Sequence, residues 1–149
     1  MSRFLLRAAE LKKRYMQTPV DDMMSFFHTA VWAAAYGKDR KKSLCEDRLR
    51  NAIRDHYDHR DSTTSSVLVE GTLDSNDYSD TILTLIPFLS DWHKSLQDLA
   101  RSALVISKRQ EQPDAISSLL DCHIFAFQGV AALVKALDLH RDEIENRLA

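Results

Sequence analysis

Residues 48–61, RLRNAIRDHYDHRD, hold the densest set of chemically able groups in this 149-residue chain. Imidazole titrates near neutral pH, and guanidinium forks onto carboxylate or phosphate. Helical residues three and four apart share a face, so His56 with His59, and Asp55 with His59, can each converge. A tight divalent-metal site needs three or four protein ligands. Asp91 and His93, from a separate helix, are the further ligands on offer, and no HExxH or paired ExxH spacing supports the set. No metal site is therefore expected. The plain alternative is a helix end whose His and Arg residues complement the helix dipole and pair with neighbouring Asp residues.

The same stretch carries a second pattern. Arg54 is followed by Asp55 and, after four intervening residues, by His59; Arg50 is followed by Asn51 and, after five, by His56. This resembles the Arg-x4-6-His arrangement of HEPN ribonucleases. The resemblance implies action on an RNA phosphodiester at a dimer cleft. The arginine would stabilise phosphate charge and the histidine would supply acid–base chemistry, which makes Arg54 and His59 the candidate catalytic pair.

A third candidate is a basic face. Residues 1–60 hold 13 Lys or Arg against 8 Asp or Glu, a balance of +5; residues 61–149 hold 7 against 14, a balance of -7. Oppositely charged halves suit either packing on each other or an anionic partner. In the second case Lys38, Arg40, Lys41, Lys42 and Arg48 form the binding set, within the basic segment 38–54. A balance of +5 is modest beside the strongly basic domains that bind nucleic acid, so packing is the preferred reading.

Two apolar stretches hold the remaining candidates. His28 lies in residues 23–36, MMSFFHTAVWAAAY, and Asp121, Cys122 and His123 precede the apolar run 124–136. Buried polar groups need partners, so His28 is expected to meet Asp121 or His123 across the core as a hydrogen-bonded structural pair. Cys122 beside His123 is no catalytic dyad, because adjacent helical residues point about 100° apart. Cys45 and Cys122 are expected to be reduced small hydrophobes rather than a disulfide. No glycine-rich phosphate loop or GxSxG elbow occurs, and no cofactor is expected.

The elements that must position these groups read as helices. Residues 3–17 follow an amphipathic pattern, with Phe4, Ala8, Leu11 and Tyr15 on one stripe. Thr18, Pro19 and Asp21 supply a cap, a first-turn proline and a returning carboxylate, which launch the run 23–36. That run is long, rich in Met, Ala and Phe, and free of internal Gly or Pro, so it is expected to be a helix buried on most sides. Gly37 is expected to stop it in the left-handed conformation. Ser43 and Glu46 repeat the capping-box spacing at the start of a polar third helix reaching about residue 59. Residues 61–78 read as a long polar loop with one extended patch, VLVEGTL. Pro87 predicts a kink or break near Leu85 in the next helix, 78–109. The last long helix, 115–137, is expected to be the second buried element. Gly129 marks close packing there, and residues 138–140 end it before a short closing helix.

The fold class is therefore all-α: one domain over residues 1–149, a five- to six-helix bundle with two central apolar helices and a long polar loop after the third. Few glycines and prolines argue against an all-β fold of tight turns. The N-terminus shows no secretory segment and no run reaches the roughly twenty apolar residues of a membrane span, so a cytoplasmic protein without membrane attachment is expected. The preferred function is a small non-catalytic regulatory or adaptor protein, acting through a protein partner or self-association. The alternatives are the ribonuclease built on Arg54 and His59, and the nucleic-acid binder using the basic segment.

Overall fold

The computed structural model describes residues 18–39, 41–54, 74–109 and 115–148. All regular structure among them is helical: α1 (Pro19–Ala35), α2 (Leu44–Arg54), α3 (Asp80–Arg109) and α4 (Ala115–Leu148). The helix expected over 3–17 and residues 61–73 of the loop expected over 61–78 lie outside the described residues, and 74–78 form no helix or strand.

Helix α1 starts as its capping residues require. Thr18 is extended, with Pro19 in the first turn. The Asp21 carboxylate accepts both the Thr18 N–H at 2.8 Å and its hydroxyl at 3.0 Å. Its end departs from expectation. Gly37 keeps a φ outside the left-handed region, and Tyr36 leaves the helix instead, with φ -110 and ψ 20. The last turn closes through Tyr36 N–H to Trp32 C=O at 3.0 Å and Gly37 N–H to Ala34 C=O at 3.3 Å.

Neither the break allowed for at Pro87 nor the one expected at residues 138–140 occurs. α3 runs for 30 residues with Pro87 inside it. One missing donor is tolerated there because Phe88, Leu89 and Trp92, immediately after the proline, are held in the core. α4 runs for 34 residues through Asp138, Leu139 and His140. None of these is a backbone breaker, and Arg141 bonds Asp138 one turn back at 2.6 Å. The expected last helix and closing helix are thus one.

Helices α3 and α4 lie along each other, α1 packs on both, and α2 packs on α1. His140 Nε2 meets Asp91 Oδ2 at 2.8 Å; with only residues 110–114 between the two helices, they run antiparallel. The core centres on Phe27 and Leu96, both 0% exposed, with Val31, Ile82, Phe88 and Trp92 around them. Phe27 meets the Trp92 ring edge-on at 5.5 Å and stacks on His93 at 4.8 Å, geometries that add to the burial of apolar area. Gly129 lets α1 approach α4: a Cβ there would lie 2.9 Å from Met23 Cγ.

Candidate functional site

The polar helix α2 is tied down from within. Ser43 Oγ accepts the Glu46 N–H at 3.0 Å, the expected cap. The Glu46 carboxylate, however, reaches across chain segments. It accepts Ser79 N–H at 2.7 Å, Lys41 N–H at 2.8 Å and Arg50 at 2.6 Å, and it is fully buried. Arg50 also donates to Asp47 at 2.8 Å, Lys41 C=O at 2.8 Å and Ala35 C=O at 3.3 Å. Burial alone would lower the Arg50 pKa, but the hydrogen bonds to Asp47 and Glu46 outweigh it and raise the value. Such a buried charge pair holds because every strong donor around it is matched. Sequence reasoning took Glu46 for a local capping residue. Its spacing from Ser43 carries no sign that Ser79, far along the chain, would also use it.

The hub orders the connector between α1 and α2. Lys41 engages it with both backbone groups, and its Nζ bonds Ser75 C=O. Asp39 receives the Thr81 N–H at 2.9 Å and the Thr81 hydroxyl at 2.8 Å, capping α3 from outside its own segment. Burial pushes the Asp39 carboxyl up, and the Thr81 hydrogen bonds prevail and hold it below its ordinary value. Lys38, Lys42 and Arg48 are exposed, and Arg40 lies outside the described residues. Arg54 is exposed at the end of α2, with its guanidinium 5.5 Å from the Tyr36 ring centre. Its partners in the Arg/His patterns, Asp55, His56 and His59, lie outside the described residues. Among the described residues no three His, Cys, Asp or Glu side chains gather as a metal requires.

The larger surprise is apolar. The run 23–36 of α1 is buried or half-buried at most of its positions, as expected, whereas α4, expected to be the second buried element, is not. On α1, Phe26 is 63% and Trp32 50% exposed. On α4, Leu119, Leu120, Ile124, Phe127, Val130, Val134 and Leu137 are between 42% and 77% exposed, Phe127 the most. The opposite side of α4, with Phe125, Gly129 and Ala136, is the buried one. The reason is angular: a helix this rich in apolar residues shows them on two faces, and α1 and α3 are enough to cover one. Of the two partners expected for His28, His123 sits exposed on α4 and Asp121 is half-buried there. The His28 ring is buried edge-on to Phe27 at 5.4 Å.

At about 150–200 Å² per large apolar side chain, the seven present on the order of 700 Å². That exceeds the patch of a few hundred Å² that a typical monomer carries. By length and composition, Leu119–Leu148 is also apolar enough to cross a membrane, with 17% of its apolar window buried. Its neighbour is charged. The antiparallel α3 brings exposed Lys94, Asp98 and Arg101 alongside the apolar stretch. Lys94 would cost about 3 kcal/mol in hydrocarbon, and Asp98 and Arg101, paired at 2.8 Å, would cost less than two isolated charges.

No protein-family model, curated protein or solved structure matches the chain. The described residues are all-helical and leave one apolar helix face uncovered.

Proposed function

We propose that this is a small, non-catalytic regulatory or adaptor protein. It forms one helical domain over residues 1–149, is cytoplasmic and free of membrane, and works by docking the outer face of α4 on a partner helix. The observation that carries this reading is the run of seven exposed large apolar side chains between Leu119 and Leu137. A helix with matching apolar spacing is the natural cover, because side chains three and four apart interlock as knobs into holes. The experiment is thermal unfolding at rising protein concentration in buffer alone. Association stabilises by mass action, so the melting temperature climbs with concentration. In Phe127→Glu the climb disappears. A wild-type melting temperature independent of concentration overturns docking between copies, and equal behaviour of the variant overturns the role of this face.

The second reading is a HEPN-like ribonuclease with Arg54 and His59. It is favoured by the position of Arg54, which is exposed and has its guanidinium over the Tyr36 ring. There His59→Ala abolishes RNA cleavage without altering helix content; a wild type that leaves RNA intact removes the reading.

A further inference from the structure

The outer face of α4 contains a regular seam. Leu120, His123, Phe127, Val130, Val134 and Leu137 follow one another at alternating steps of three and four residues, and all six are exposed. This is the spacing by which two helices interlock over several turns. The order of steps, three-four-three-four-three, reads the same in both directions. A copy of the helix laid antiparallel therefore meets it in register, with Leu120 opposite Leu137, His123 opposite Val134 and Phe127 opposite Val130.

We propose that the cover of this face is a second copy of the chain, its α4 antiparallel to the first about a two-fold axis level with Gln128 and Gly129. The inference rests on the reading of α4 as a docking face and names its occupant. Three observations favour it. The seam is self-complementary in size, with the large Phe127 ring against the small Val130 twice at the centre, as an isologous interface requires. A parallel pair would instead set Phe127 on Phe127 and His123 on His123. The exposed apolar area of the face, with Leu119 and Ile124 flanking the seam included, is on the order of 700 Å² and approaches the roughly 800 Å² that each partner brings to a standard interface. None of the six seam residues is Asp, Glu, Lys or Arg, and the two charged residues of this stretch, Asp121 and Lys135, each lie one residue off the seam, so the seam itself brings no formal charge into the interface.

The test is thiol cross-linking of the full chain with Cys45→Ser and Cys122→Ala as background. One preparation carries Leu120→Cys, the other Leu137→Cys, both at exposed positions, and circular dichroism checks each for retained helix. A short bis-thiol reagent is applied to each preparation and to their mixture after exchange. The proposal expects covalent dimer in the mixture and little in either alone. Dimer in each preparation alone, with none added by mixing, means parallel helices and overturns it. A sedimenting dimer that cross-links in none of the three uses another face; this overturns the proposal while leaving association intact. A monomer that floats with phosphatidylcholine–phosphatidylserine vesicles overturns both the second copy and the protein-docking reading. Phe127→Glu, present at both central layers of the dimer, is expected to weaken it by about a hundredfold; an unchanged dimer would also overturn the proposal.

Discussion

The Glu46 hub and the outer face of α4 invert each other. In the first, a fully buried carboxylate and a nearly buried guanidinium sit on the most polar helix. In the second, Phe127, Val134 and their neighbours stand in solvent on one of the most apolar. A helix's composition therefore does not tell what covers it. Glu46 is buried because four groups, the N–H of Lys41 and of Ser79, Arg50 and the turn that Ser43 caps, converge on it. The α4 face is exposed because no segment among the described residues lies over it.

The contrast is broken most severely at the hub. Glu46→Ala leaves Arg50 without its buried partner and two backbone donors without an acceptor, and should cost about 3–5 kcal/mol of stability by denaturant titration. Replacing Glu46 and Arg50 together by Leu should not restore wild-type stability, because the Lys41 and Ser79 N–H groups remain unmatched. A double variant as stable as wild type would reduce the hub to an ordinary ion pair. Next is the inner side of α4. Gly129→Leu forces bulk into the space occupied by Met23, and should destabilise by about 1–3 kcal/mol even though leucine favours the helix more than glycine.

A smaller effect belongs to the connector. Asp39→Asn weakens the cap on α3 by about 0.5–1 kcal/mol, near the low end for such caps because the carboxylate is exposed and screened. The sign with pH follows from the lowered folded-state pKa. The contribution is present above the unfolded-state value near 4 and is lost as pH falls through the lower folded value. Wild type should thus lose more stability than Asp39→Asn below about pH 4, read from paired melts. Equal slopes would remove Asp39 as the cap.

Much of the local structure was legible beforehand. Thr18, Pro19 and Asp21 announced the start of α1, Ser43 that of α2, and Gly129 the close approach of helices, because each depends on a residue and its near neighbours. The helical class followed from the same short-range signals. Residues 138–140 misled, since Asp138 finds Arg141 on its own helix, and of the two outcomes open at Pro87 the break is excluded, since packing of Phe88, Leu89 and Trp92 outweighs one lost backbone bond. The reach of Glu46 to Ser79 was not legible, because capping spacing describes four residues and the contact spans two elements. Nor was the exposure of α4: its spacing shows which residues share a face, but not how many neighbours the fold supplies. Arg54 could be followed to an exposed helix end, whereas His59 and Arg40 lie outside the described residues.

The smallest expected effect on the folded monomer is the most informative. Phe127→Glu lies on solvent, so it should shift monomer stability by no more than about 0.5 kcal/mol while removing association. Sedimentation equilibrium of wild type and Phe127→Glu, side by side at micromolar concentration, tests the central claim directly. The account predicts twice the monomer mass of 17.1 kDa for wild type and the monomer mass for the variant. A wild-type monomer, or a variant dimer of unchanged strength, would contradict it.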